Sequence, residues 1–273
     1  MKSVLSIQDL SCVGRCSLTV ALPVLSAMGI RCSVLPTAVL STHTGFPGGK
    51  AVSMTEHLAD FANHWHTLDI SFDAVLCGYL SDPAQAEAVL PLLEQYRAKG
   101  AKILVDPAMA DHGKLYRRLD EEHVGAMAEL CMSADILLPN VTEAALLAEL
   151  PYREQTDGAY LRALTAALLE CYHTEAVLIT GVSSNPDTIG FAGADRKEGS
   201  FVFQTGAVPR QYHGTGDLFS AVFTGKLLSG RDVYEAGVLA AEFVRLCAEK
   251  TEQSTPHGIE FEAQLPQLWA QQR

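Results

Sequence analysis

Positive charge is scarce in this sequence. Its 20 Lys and Arg stand against 32 Asp and Glu, a formal net charge of −12 over 273 residues. Phosphate backbones and anionic bilayers bind basic faces, so the balance speaks against nucleic acid or a membrane surface as a partner. A nucleotide is still admissible, but its charge would have to be met locally by helix N-termini, a few Lys or Arg, and metal ions. Also missing is any C-x-x-C pair. The seven cysteines (Cys12, Cys16, Cys32, Cys77, Cys131, Cys171, Cys247) are an odd set. Several lie in apolar segments, which fits reduced thiols in a reducing compartment better than a disulfide framework. No apolar run is long enough to cross a bilayer: the longest, Leu18 to Ile30, is broken by Pro23. The first seven residues are too short an apolar stretch for a signal peptide. Neither an internal repeat nor a compositional break marks a linker. These absences leave a soluble cytoplasmic protein, expected to form one domain over residues 1–273. Its 48% hydrophobic and 19% charged content suits a buried core rather than disorder.

What is present is an alternation of short apolar runs with helical periodicity. Val4 to Ile7 reads as a buried strand, followed by a helix from about Cys16 to Met28 that Gly29 closes and Pro23 kinks or shortens. A strand over Cys32 to Val39 leads to the Gly-rich loop 41–49 and a helix over Val52 to Trp65. Ala74 to Cys77 is the clearest strand. Helix Ala84 to Ala98 follows, with Ser81 or Asp82 as cap and Pro83 at its first position. Lys102 to Val105 is a strand, and Ala108 to Leu119, lacking a clean period, reads as a mobile loop. Next come helix 121–132, strand Ile136 to Leu138, helices 142–148 and 158–171, and strand Ala176 to Ile179. Thr188 to Ala192 and Ser200 to Thr205 read as an antiparallel pair, followed by helices to Leu228 and from Arg231 to Lys250 and a weak terminal one over 260–271. The fold class is therefore α/β: a doubly wound, mostly parallel sheet with helices on both faces and a small antiparallel edge. Ligands in such sheets bind beyond the carboxyl ends of the strands, where Gln8-Asp9, loop 41–49, Gly78-Tyr79, Asp106, Asn140 and Thr180-Gly181 fall.

The most informative stretch is Gly214-Thr215-Gly216-Asp217, directly ahead of apolar residues at helical spacing (Leu218, Phe219, Val222, Phe223, Leu227). Two glycines at a helix N-terminus leave amide N–H groups free to meet an anion. A carboxylate within that turn is out of place at an anion site unless it takes a proton from a substrate hydroxyl. The plain alternative is a first-turn acid that complements the helix dipole.

Gly-Thr-Gly-Asp before an apolar helix resembles the signature of the ribokinase-like kinases. The likeness to their vitamin B6 branch, the pyridoxal and pyridoxamine kinases, runs from Ser3 to the last helix. Its pieces are Ser6-Ile7-Gln8, Ser41-Thr42-His43-Thr44-Gly45, Gly78-Tyr79-Leu80, Val105-Asp106-Pro107-Ala108-Met109, Leu138-Pro139-Asn140-Val141-Thr142-Glu143, Leu178-Ile179-Thr180 and 214–217. The resemblance implies transfer of the ATP γ-phosphoryl group to the 5′-hydroxymethyl of a pyridine, with Asp217 as base and Gly214, Thr215 and Gly216 as the anion hole. It further implies substrate contacts from Asp9, Thr44 and Tyr79, and nucleotide contacts from Asp106, Lys114, Tyr116, Asn140, Thr180 and Thr215. Mg²⁺ accompanying ATP would be organised by Asp106 and Glu143, mainly through water. A homodimer is implied, and a monovalent-cation requirement is left open.

Each of these has an ordinary reading beside it. Asp106-Pro107 could be a strand-end turn, Asn140 a helix cap, Glu143 an exposed first-turn acid, Thr180 and Thr215 turn hydroxyls, and Tyr79 half-buried packing. Two departures from the family stand out. Asp9 replaces the Ser common after Ile-Gln, and would favour a protonated ring nitrogen or a cationic substrate group. Ala108 and Ala110 replace Val and Gly, and loss of that Gly would stiffen the 108–119 flap. Cys12 and Cys16 could share a helix face, Arg15 reads as a solvated surface charge, and His64-Trp65-His66 is a poor metal site. The rivals are a hydroxymethylpyrimidine kinase, a less well matched sugar kinase, and a catalytically silent nucleotide-binding regulatory protein.

Overall fold

The computed structural model describes residues 1–252 and 255–270. Nine strands form one sheet in the order β11-β10-β9-β8-β5-β4-β1-β2-β3. Its parallel body consists of β1 (Ser3–Ser11), β2 (Arg31–Leu40), β4 (Ala74–Cys77), β5 (Lys102–Val105), β8 (Ile136–Leu137) and β9 (Ala176–Val182). β10 (Thr188–Asp195) and β11 (Gly199–Gly206) continue it antiparallel, and β3 (Ala51–Ser53) closes the other edge antiparallel to β2.

Alternation along the central strands feeds two cores. Val4, Ala74, Leu76, Leu104 and Leu178 face one side. They pack against α1 (Leu18–Ala27), α7 (Thr215–Leu228) and α8 (Val233–Lys250). Leu5, Ile7, Val75, Cys77, Ile103, Val105 and Ile179 face the other. There they meet α3 (Ala84–Ala98), α4 (Glu121–Cys131) and α6 (Gly158–Cys171), with Leu58 of α2 (Thr55–Thr67). Burial on both faces is why these strands read as continuous apolar runs. The chain leaves β1 for β2 on one side and returns to β4 on the other, so the connecting helices change face around β1. The crevice at that reversal is where an open α/β sheet takes its ligand.

Several expectations need correction. The first helix starts at Leu18, not Cys16; residues 12–17 form a turn, so Cys12 and Cys16 share no helix face. Pro23 lies inside α1 without ending it, and Gly29 takes the left-handed φ of 66° expected of a helix-closing glycine. Residues 51–53 form edge strand β3 rather than the start of a helix. Of the two candidate caps ahead of α3, Asp82 is the one that accepts from the Ala84 N–H, at 3.0 Å, while Pro83 holds the N-cap position itself. Most consequential, the segment expected as a loop holds a hairpin, β6 (Ala110–Asp111) with β7 (Lys114–Leu115), turned by His112 and Gly113 at φ 50° and 73°. The terminal helix α9 covers Leu265–Ala270, behind one 3₁₀ turn, and the last residue of the expected span lies outside the described residues.

Candidate active site

α7 begins at Thr215 because Gly214 can take the left-handed φ of 82° that turns the chain into it. A side chain at 214 is also excluded sterically: its Cβ would lie 2.2 Å from the Arg15 carbonyl oxygen. Gly216 differs. A Cβ there would meet nothing within 4 Å, so this glycine leaves open space above the first-turn amides. That is the space an anion on these N–H groups would fill. Thr215 Oγ donates back to the Tyr212 carbonyl at 3.3 Å, bracing the turn.

Asp217 is half-buried in the wall of a cleft of about 730 Å³. The Ser17 N–H and the Cys16 thiol lie beside its carboxylate and favour the ionised form. Burial nevertheless pushes its pKa up to about 6, and the neighbouring charge of Asp9 adds to the rise. Asp106, at the end of β5, accepts from Ser220 Oγ one turn further along α7 at 2.6 Å. Burial, then the charge of Asp217, raises it as well. No Lys or Arg is paired with either carboxylate among the described residues. Carboxylates without a cationic partner in a cleft would suit a cation brought in with the ligand.

The same cleft is lined by Asp9, Thr44, Tyr79, Tyr116, Asn140, Glu143, Thr180 and Thr215. Its lining also includes the apolar side chains of Val208, Phe219, Ala241, Val244 and Ala248. The structure therefore brings together every expected site residue but Lys114, which is exposed on the hairpin and does not line the cleft; Asp111 and His112 of that hairpin do.

Glu143 is not the exposed first-turn acid its position suggests. It is buried, and one oxygen accepts from the Met109 and Ala110 N–H groups at 3.0 and 3.3 Å while the other accepts from the Asn140 N–H at 2.8 Å. Asn140 reciprocates as cap of α5 (Val141–Leu147), accepting from the Thr142 and Glu143 N–H groups, and donates to the Ala110 carbonyl at 2.7 Å. This capping box thus doubles as the mount of the hairpin. Burial and the charge of Asp106 raise the Glu143 pKa. Among the described residues no three His, Cys, Asp or Glu are arranged to hold a metal directly. Mg²⁺ fits as an ion that would be carried by its waters and the nucleotide, with Asp106 in the cleft lining as a carboxylate that could face those waters. Arg15 is no free surface charge either, since its Nε pairs with Glu262 at 2.7 Å.

The sequence pattern does not mark residues 12–17 as a site element. Yet Cys16 and Ser17 line the cleft, as do His43 and His213, whose rings lie 4.6 Å apart. Arg210 and Arg245 are its cationic wall residues. Nothing local to these residues marks them, because loops from opposite ends of the chain bring them together.

A doubly wound sheet, a glycine-turned helix start bearing an acid, and an apolar slot beside an anion cradle define an ATP-dependent α/β phosphotransferase of the ribokinase-like kind. The chain belongs to the phosphomethylpyrimidine kinase family, whose sequence model matches residues 22–260. Among its relatives, the pyridoxine/pyridoxal/pyridoxamine kinase of Bordetella bronchiseptica is 30% identical over 260 residues, covering 92% of this chain and 90% of the relative. The pyridoxal kinase from Lactobacillus plantarum superposes with a TM-score of 0.91 at 32% identity, covering 99% and 98% of the two chains. A Bacteroides thetaiotaomicron protein provisionally named a phosphomethylpyrimidine kinase, crystallised with pyridoxal, gives a TM-score of 0.93 at 33% identity over 98% and 95%.

Proposed function

We propose that residues 1–273 act as one kinase domain that transfers the γ-phosphoryl group of ATP to the 5′-hydroxymethyl group of a vitamin B6 vitamer. The observation that carries this reading is Asp217, a carboxylate with no Lys or Arg partner among the described residues, in the first turn of α7 beside the open space at Gly216. Phosphoryl transfer needs alignment and charge stabilisation more than covalent chemistry. Asp217 receives the proton of the attacking alcohol, and the first-turn N–H groups face the transferring oxygens without having to reorganise. Tyr79 offers a flat ring face to the pyridine, and Thr44 of the same cleft lining is a second substrate contact. The adenine lies against Val208, Ala241, Val244 and Ala248. Mg²⁺, held through water by Asp106 with Glu143 behind it, would neutralise charge on the phosphates. Cytoplasmic residence and a homodimer complete the reading; sedimentation equilibrium should then return twice the chain mass of 29.4 kDa. No helix among the described residues is long and apolar enough to cross a membrane.

The family's own name favours a second acceptor, a hydroxymethylpyrimidine. ADP release with Mg-ATP and, separately, pyridoxal, pyridoxamine, pyridoxine, hydroxymethylpyrimidine and ribose separates the two. Turnover is expected with at least one B6 vitamer. Preference for the pyrimidine would move the assignment, and no turnover with any alcohol would favour a nucleotide-binding regulator. The same assay run in K⁺, Na⁺ and tetramethylammonium salts tests for a monovalent-cation requirement.

A further inference from the structure

The acid on α7 is held from the far end of the chain. Ser17 precedes α1 with φ 50° and ψ −121°, a backbone conformation that residues with a Cβ rarely adopt. Ser at this position ordinarily caps its helix, but this hydroxyl makes no cap bond. It donates instead to Asp9 Oδ1 at 2.5 Å. Asp9 is only 4% exposed, and its other oxygen accepts from Ser11 Oγ at 3.1 Å. Leu10 and Ser17 also form an isolated antiparallel bridge. Turned this way, Ser17 lines the cleft together with Asp217, with its N–H on the side that favours the ionised carboxylate. The 12–17 turn has little room to relax: the His43 ring presses on Gly14 from one side, and Gly214 abuts the Arg15 carbonyl from the other.

We propose that Asp9 is a positioning residue for phosphoryl transfer: through Ser17 Oγ it locks the 14–17 turn in the one backbone conformation that aims the Ser17 N–H at Asp217. With both oxygens taken by hydroxyls of its own chain, Asp9 acts on the reaction through Ser17 rather than as a partner for a ring nitrogen. The inference rests on Asp217 being the proton acceptor. It lies upstream of residue 22, where the family match begins.

Four variants of the full chain test it, with KM and kcat measured separately for Mg-ATP and pyridoxal. Asp9→Ala removes the acceptor, whereas Asp9→Asn keeps an oxygen for Ser17. Ser17→Ala removes the anchor but keeps the Cβ that resists φ 50°, whereas Ser17→Gly removes both anchor and resistance. Asp9→Ala and Ser17→Ala should each lower kcat by about ten- to a hundredfold, with either KM changing less than about threefold. Asp9→Asn and Ser17→Gly should recover most of that loss. Because both substitutions break one linkage, the double Asp9→Ala/Ser17→Ala variant should be no worse than either alone. A raised vitamer KM at unchanged kcat in Asp9→Ala would make Asp9 a substrate contact and overturn the proposal. So would equal losses in all four variants tracking their melting temperatures, which would reduce the linkage to scaffold. The Ser17 amide proton shift by NMR separates the coupling from the role of Asp217. It should move upfield in Asp9→Ala whether or not Asp217 proves to be the base, and an unmoved resonance would refute the coupling.

Discussion

At the scale of single residues, Asp217 carries the heaviest expectation. Asp217→Ala should lower kcat by about 10²–10⁴-fold, the usual contribution of a positioned base, with nucleotide affinity unchanged by equilibrium titration. Near-normal turnover would remove Asp217 from its role. The pH dependence follows from its environment. Only the ionised carboxylate can take a proton, and burial holds its pKa at about 6. kcat/KM for the vitamer should therefore be flat above that pH and fall about tenfold per unit below it. Asp9→Asn, which removes one of the charges raising Asp217, should move this limb to lower pH. The identity of Asp217 was legible in the sequence because a motif, two glycines and a helical period coincide there. Ser17 was not, since its significance lies in a backbone angle. Nor was Arg15, whose partner Glu262 is 247 residues away.

At the scale of elements, the hairpin β6–β7 is the instructive case. Residues 108–119 have no clean period, because two two-residue strands are too short to impose one. What orders the segment is external: Glu143 and Asn140 hold its base, and Thr142 Oγ accepts from the Gly113 N–H at 3.0 Å. The same contacts rule out the ordinary alternative of an exposed first-turn acid at Glu143. Its place in a first turn was readable, but not the hairpin laid over it. Glu143→Ala would leave buried N–H groups of Met109, Ala110 and Asn140 without partners, at about 1–3 kcal/mol for each such group. We expect a melting transition lowered by several degrees in differential scanning fluorimetry. ADP release without an acceptor should rise, because a loosened cover admits water to the phosphates. Unchanged stability and coupling would mean that the hairpin is held by other contacts.

At the scale of the molecule, alternation of apolar runs was enough to read the sheet, and the central strands Ala74–Cys77 and Lys102–Val105 fall where periodicity puts them. Short β3 escaped because an exposed three-residue edge strand has no apolar face to betray it. The cleft walls escaped in part because they are assembled across the whole chain. The Arg15 N–H donates to the His257 carbonyl at 2.7 Å and the Ile259 N–H to the His213 carbonyl at 3.0 Å. Gly214 rests against Arg15 between these links. The acid and its anion cradle are thus completed only when the first twenty residues meet the last sixty. Closing so long a loop is slow, because its entropy must be met before the contact repays it. Catalytic competence should accordingly be the last property to return on refolding. After dilution from denaturant, far-UV circular dichroism should recover in a phase that precedes the regain of ADP-releasing activity. Simultaneous recovery of the two signals would show that the ends of the chain dock before the sheet between them is built.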